Sequence, residues 1–572
     1  MNDLQQGGPI VWGCGLILWV CAASTPAQMV GGNWAEIHLS GAAADDRFGS
    51  ALQAAGDVNG DGFGDVIVGA YSAGPGGLLY AGSAYVYSGL DGSLLHQFHG
   101  SAEYDYFGSA VAGAGDVNAD GYADLLIGAP GTSPGGFESA GSAFLYSGLD
   151  GSLLQQYDGS AYHDRFGSAL AGVGDSNGDG YDDYLISAPL ANPGDLESAG
   201  SVMLYSGLHS LVMRQFDGQA VNEQLGTALA ECGDVDLDGI ADFIVASSEA
   251  SPSLEELAGM AQVYSGASGA LLWQFEGSAG GQRFAWSVAG AGDVNADGSA
   301  DLLFGSPYAD KLGAPQAGMA QAYSGLDGSL LYQIDGYYKN DNLGMSVAGG
   351  PDFNSDGYAD LIIGASRTDT SGNLDSGSVL LVSGIDGSLL RQFNGKFGTN
   401  YGYTVANLGD TDGNSSDDFA VGAWKAQENG FNRAGSVDLI AYTRCLTSSG
   451  ESISASAGGS ASFMMDFPTS EAGLNYYLLG SATGTGPITS GNVEIPLNKD
   501  WMFNMMTSAP PPQFSNVSGL LDAFGDATAT LTLLPDEAVI YAGTRFYFAG
   551  ISYSPPAKAR IATIAVILDI EA

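Results

Sequence analysis

Along most of this chain the apolar residues fall in short runs divided by clusters of Gly, Asp, Asn and Pro. Between residues 48 and 100 the runs are FGSALQAAGD, DVIVGA, GSAYVYSG and SLLHQFHG. They are too short for helices and rich in β-branched and aromatic residues, so each reads as a strand. The third and fourth are joined by GLDGS, whose Asp91-Gly92 pair tolerates the positive φ of a tight hairpin. The same pair recurs at Asp150-Gly151, Asp327-Gly328 and Asp386-Gly387.

The whole set of four recurs. A nine-residue acidic loop starts at Asp57, Asp116, Asp175, Asp234, Asp293 and Asp352, five intervals of 59 residues, and again 58 residues on at Asp410. Self-similarity at such a period marks a repeat architecture. Seven units of four antiparallel strands predict an all-β fold, a seven-bladed β-propeller; a linear solenoid is the alternative. The ends of the array favour a ring. The seventh unit stops near Tyr442 without its fourth run, and Ala35–Gly41 matches that run at an offset of 59 (Leu39 to Phe98, Gly41 to Gly100). An N-terminal strand closing the last blade hides two free sheet edges.

The propeller is thus expected over residues 33–443. Residues 444–572 carry alternating stretches such as Ala527–Leu534 and a proline break at Pro510–Pro512, and are expected to form a small β-sandwich-like domain of no stated function. Residues 1–27 are expected to be a signal peptide. The apolar stretch Pro9–Ala23 is too short for a membrane span, and small residues precede a cleavage point after Ala27, although the leading segment carries Asp3 and no Lys or Arg. With no other apolar run of membrane length, a secreted, extracellular, monomeric protein is expected. Cys14 and Cys21 fall in the leader. Cys232 and Cys445 remain, too few for a disulfide framework, though a bridge between them is open. Cys232 stands where most other units have Ala, Val or Gly, and is expected to be a small buried residue.

Glycine, 88 of 572 residues, is at about twice its usual share, as many tight turns require. Charge is lopsided, with 16 Lys and Arg against 64 Asp and Glu, a net −48. A surface without a basic stripe excludes nucleic acid as the partner.

The units resemble the FG-GAP repeats of integrin α-subunit head domains and related bacterial secreted proteins. Phe107-Gly108 with Gly128-Ala129-Pro130 is nearly literal. Phe48-Gly49 with Gly69-Ala70, Phe166-Gly167 with Ala188-Pro189, and Phe284 with Gly305-Ser306-Pro307 are close. The fourth unit departs most, with Leu225-Gly226 and Ala246-Ser247-Ser248. The resemblance implies a propeller that binds calcium on hairpin loops and serves adhesion. The constant spacing leaves no room for a ligand-binding domain inserted between blades, so adhesion through an integrin heterodimer is not implied.

The loops themselves fit calcium, which takes six to eight oxygens in flexible geometry. Positions 1, 3, 5 and 9 supply side chains, position 7 a carbonyl, and Gly at position 6 the sharp turn. In the first loop these are Asp57, Asn59, Asp61, Asp65 and the Phe63 carbonyl; in the second Asp116, Asn118, Asp120, Asp124 and Tyr122; in the third Asp175, Asn177, Asp179, Asp183 and Tyr181. The fourth has Asp234, Asp236, Asp238, Asp242 and Ile240, and the fifth Asp293, Asn295, Asp297, Asp301 and Ser299. The sixth has Asp352, Asn354, Asp356, Asp360 and Tyr358, and the seventh Asp410, Asp412, Asn414, Asp418 and Ser416, with Ser415 in place of the glycine. An EF-hand would need Glu at position 12, where the first loop has Val68 inside an apolar run. About seven structural calcium ions are expected.

Catalytic motifs are poor. Gly131-Thr132-Ser133-Pro134-Gly135 matches G-x-S-x-G but lies among loop residues with no helix following. The five histidines, His38, His96, His99, His163 and His209, have no zinc spacing. The expected function is a non-catalytic binding or adhesion scaffold for an extracellular protein or glycan. The alternative is an extracellular hydrolase or lyase with its site in the propeller channel, which would need special residues in one or two blades.

Overall fold

The computed structural model describes residues 32–444 except 312, 355, 356, 371, 372 and 415. Beyond these it describes 446–448, 452–454, 459–466, 475–481, 487–490, 493–496, 513–516, 518–520, 526–533, 545–554, 558–562 and 566–571. The signal-peptide reading, Cys14, Cys21 and Cys445 fall outside the described residues.

Seven four-stranded antiparallel sheets follow one another along the chain. In blade one the strands are Ala51–Gly56, Asp65–Ala70, Ser83–Tyr87 and Leu94–His99, paired in that order. Five more blades repeat the scheme. The seventh takes Thr404–Gly409, Asp418–Ala423 and Ser436–Arg444 from the end of the array, and its fourth strand is Gly32–Ser40, with Leu39 opposite Val437. The first strands of successive blades touch around the circle, and Ala51–Gly56 touches Thr404–Gly409, so the ring is closed. The solenoid alternative is thereby excluded.

Each strand's composition follows from its place. The second strand is flanked by sheets on both faces, and DVIVGA is buried along its whole length. The fourth strand is outermost, and LLHQFH leaves its residues half-buried or exposed. The core lies between blades. At the closure Phe48, Val66 and Val68 pack on Ala420, Val437 and Leu439, and Leu39 of the closing strand joins them. Burying Leu39 contributes roughly 1.5–3 kcal/mol to closure. The Phe-Gly pair divides the work: Phe48 fills the gap, while Gly49, at φ 81°, lies where a Cβ would meet the Ser436 carbonyl oxygen at 2.7 Å. The closing strand is also clasped by charge. His38 Nδ1 lies 2.5 Å from Asp438 Oδ1 and Nε2 3.4 Å from Glu428 Oε2, and the bond to Asp438 holds the imidazole up to about 9.

In the C-terminal region one sheet contains Gly459–Asp466 and Asp526–Leu533, and another contains Arg545–Ser554 and Asn475–Ser481. Phe463 of the first and Phe548 of the second are buried with ring centroids 4.5 Å apart, so the two sheets touch through this pair. Among the described residues no helix is long and apolar enough to cross a membrane.

Candidate metal centres

Antiparallel order puts the acidic loops, which join first to second strands, on one face of the ring. The loops joining second to third strands, and the links from each fourth strand to the next blade, lie on the other. Within the first loop every acidic side chain folds back on the backbone. Asp57 Oδ1 accepts from Gly60 N (2.7 Å) and Asp61 N (3.1 Å), and its Oδ2 accepts from Gly62 N (2.9 Å). Asn59 Oδ1 accepts from Asp61 N at 2.8 Å, and Asp61 Oδ1 from Phe63 N at 2.9 Å. These bonds curl the chain tightly around the side chains at positions 1, 3 and 5.

Position 9 closes the loop from inside. Asp65 Oδ2 accepts from Val58 N (2.9 Å) and its Oδ1 from Gly89 N (3.2 Å), tying loop, second strand and the end of the third strand together. The pattern repeats at Asp124, Asp183, Asp242, Asp301, Asp360 and Asp418, with Tyr442 replacing the glycine in blade seven. Glycine is required elsewhere because the turn passes close to the loop: a Cβ on Gly148 would meet the Ala123 carbonyl oxygen at 1.9 Å.

The position-9 carboxylates are fully buried, and burial outweighs their N–H bonds. Asp65, Asp242, Asp301 and Asp418 are pushed up to about 6 and Asp124 to about 7; Asp183 is raised as well. Neighbouring loop carboxylates push the same way: Asp61 and Asp57 act on Asp65. Such a site favours either a proton or a cation.

Among the described residues two loops bring three carboxylates together. One oxygen each from Asp234, Asp236 and Asp242 lies within 4.8 Å of the others, and the same holds for Asp410, Asp412 and Asp418. Those are the loops with Asp at position 3. Where position 3 is Asn, its amide can donate to position 9, as Asn177 Nδ2 does to Asp183 at 3.1 Å and Asn295 Nδ2 to Asp301 at 3.4 Å. The converging oxygens fit a hard divalent cation. The position-7 residues Phe63, Tyr122, Tyr181, Ile240, Ser299 and Ser416 donate their amides to position 5, which leaves their carbonyls free of that bond. In the sixth loop Asp352 accepts from Gly357 N at 2.8 Å, and Asn354, Tyr358 and Asp360 are in place, while Asp356 lies outside the described residues, as does Ser415 of the seventh. The loops are also chained: Ala123 N donates to Asp57 O (3.0 Å), and Gly64 N to Asp410 O (3.4 Å) across the closure.

The other candidates resolve simply. Cys232 is buried, a free thiol pushed well up by burial. Ser133 accepts a bond from Ser139 N at 3.2 Å within its loop. His96 Nε2 lies 2.6 Å from the Gly148 carbonyl oxygen and His99 Nδ1 2.8 Å from Ser83 Oγ, both on the outer strand. Sequence reasoning missed two acids at the channel. Glu231 sits at an inner-strand position where the other blades have Ala54, Gly113, Gly172, Gly290, Gly349 and Asn407. Its side chain is exposed, yet desolvation by the surrounding protein raises its pKa, and the nearby Asp182 adds to the rise. Asp182 stands at loop position 8, where most blades have Ala or Gly, and accepts from Asp116 N at 2.8 Å. The signal was a break in the repeat, visible only by aligning units column by column.

The FG-GAP repeat family matches residues 48–87, 107–146, 284–323 and 343–382, each running from Phe48-Gly49, Phe107-Gly108, Phe284-Ala285 or Leu343-Gly344 to the end of a third strand. Among curated proteins, integrin alpha-V of Gallus gallus is 33% identical over 218 residues, 36% of this chain and 20% of that protein. Integrin alpha-8 of Mus musculus is 31% identical over 225 residues, 37% and 20% of the two chains. Integrin alpha-4 of Xenopus laevis is 34% identical over 185 residues, 31% and 17%. The matches span about a fifth of the length of these relatives. The chain therefore carries FG-GAP repeats in four places, on a seven-bladed propeller like the N-terminal domain of the integrin α subunits to which it is similar.

Proposed function

We propose that this protein is a secreted, calcium-loaded propeller that serves as a non-catalytic scaffold for an extracellular protein or glycan. The observation that carries the reading is the loop itself: blade after blade repeats the same short acidic side chains around a buried position-9 carboxylate whose charge needs an answer, and in the fourth and seventh loops three carboxylates converge. Calcium suits this donor set better than magnesium, which demands a rigid octahedron and keeps its waters. When bound, the ion supplies charge neutralisation; the residues of the loop do the positioning. Similarity to integrin α subunits supports the adhesive role and the absence of catalysis.

The channel acids are the one break in symmetry that favours an enzyme. Asp182 is engaged by the Asp116 amide and Glu231 by the Gly233 amide, so both support local backbone. Elemental analysis after dialysis into saturating calcium is expected to find about seven ions per chain, and two or fewer would overturn the metal reading. A screen of glycans and surface proteins with and without calcium is expected to find a calcium-dependent partner, whereas turnover lost on Glu231→Gln would establish the channel enzyme instead.

A further inference from the structure

The face opposite the acidic loops carries an exception to the chain's negative charge. Arg47 and Arg283 share a repeat position with Arg165, just before Phe48, Phe284 and Phe166 respectively. Both guanidiniums lie over aromatic rings: Arg47 is 5.3 Å from the Tyr71 centroid and 5.0 Å from Trp424, and Arg283 is 5.6 Å from Trp286 and 5.1 Å from Tyr308. Their charges are treated oppositely. Arg283 pairs with Glu249 of the preceding blade at 3.2 Å. Glu249 lies seven residues after the position-9 Asp242, and the residue seven after Asp418, in the blade preceding Arg47, is Lys425. A cation thus stands where the other junction has its carboxylate. Lys425 Nζ is 4.9 Å from the Trp424 ring, and among the described residues neither it nor Arg47 forms an ion pair. Burial presses the Lys425 ammonium down; Asp375 opposes this, and Arg367, Arg433 and Arg47 add to it. Arg47 Nε and Trp424 Nε1 are buried donors without a partner.

A row of rings leads away from this cluster. Tyr71 lies 6.3 Å from Tyr106, Tyr106 6.1 Å from Tyr80, and Tyr80 5.7 Å from Tyr104, with Tyr80 and Tyr104 exposed. Tyr104 takes φ 67°, a strained region for a tyrosine, at a position where blades five and seven use Gly281 and Gly398.

We propose that this cluster and row of rings bind a short oligosaccharide ending in a carboxylated sugar, the carboxylate held by Arg47 and Lys425 and the sugar rings lying on Tyr80 and Tyr104. This rests on the scaffold reading and names its ligand class. Guanidinium and ammonium without a protein counter-charge are fitted to a carboxylate, and the aromatic faces to the C–H faces of a sugar. A long polyanion is disfavoured because it would run onto the surrounding surface of a chain with net charge −48.

The test is calorimetric titration of the calcium-loaded full chain with sialyllactose, with a glucuronate-terminated trisaccharide, and with lactose as the neutral probe. At least one acidic probe is expected to bind ten-fold or more tighter than lactose, and the better arm identifies the acid. Lys425→Glu should weaken it at least ten-fold while the melting temperature holds, because it recreates the Arg283–Glu249 arrangement already present in the ring. Tyr104→Gly, a residue this position accepts in two other blades, should weaken binding too. Acidic probes no better than lactose, or an affinity untouched by Lys425→Glu, would overturn the proposal. A calcium-dependent partner unaffected by Lys425→Glu would do so while leaving the scaffold reading standing.

Discussion

Removing calcium is expected to unfold the propeller at neutral pH but not in mild acid. The position-9 carboxylates supply the magnitude. A buried Asp raised from 3.8 to about 6, as at Asp65, Asp242, Asp301 and Asp418, costs about 3 kcal/mol to ionise in the folded state, and Asp124 at about 7 costs more. Because these folded values lie above the unfolded one, the metal-free fold binds more protons than the unfolded chain between pH 4 and 7. Its stability is therefore greatest at the acid end of that window and falls as pH rises through it. Five such groups cost on the order of 15 kcal/mol, as much as the whole net stability of an ordinary domain. Calcium reverses the sign by preferring the ionised form. At about 100-fold over its dissociation constant each site contributes roughly 2.7 kcal/mol, an upper limit where sites couple, as the chained loops imply. The assay is thermal melting of metal-free protein at pH 5 and pH 7.5, with and without calcium. The expected result is a metal-free melting temperature that drops between pH 5 and 7.5, and a calcium-induced rise that is large at 7.5 and small at 5. A metal-free protein with the same high melting temperature and protease resistance at both pH values would refute the reasoning, because the sheets alone would then suffice.

The sites should differ in strength. The fourth loop, with four carboxylates, is expected to bind tightest, and the seventh weakest, since it has the neutral amide of Asn414 at position 5 and Ser415 where the others have glycine; calorimetry on Asp238→Ala and Asn414→Ala should show the larger loss for Asp238, and equal losses would count against this order. Deleting residues 33–41 removes the partner of Ser436–Arg444 and exposes its edge, so aggregation or a stability loss of several kcal/mol is expected; a truncation that melts like the full chain would show that closure does not depend on this strand.

The ring was legible because repetition multiplies a weak signal. One DVIVGA run is ambiguous between a buried strand and part of a helix, but seven copies at a fixed spacing, with the missing run found at Leu39, leave a closed propeller as the consistent arrangement. The loops were legible for the same reason: each side-chain ligand position is a column of Asp or Asn. Their ranking was not. Whether an Asn at position 3 donates to position 9, as Asn177 does, or an Asp there opposes it, as Asp236 does, depends on side-chain geometry that no repeat spacing encodes. The opposite face was illegible for a deeper reason. Repetition advertises what all blades share, namely the fold and the cation loops, whereas recognition of a particular partner depends on where blades differ. Lys425 against Glu249, and Glu231 against a column of small residues, each differ by a side chain inside an unchanged backbone register. Read singly they look like surface variation; placed on the ring, Lys425 lies beside an arginine that lacks the counter-charge its sister has. In a repeat protein the conserved columns carry stability, so the search for function belongs at the departures from them.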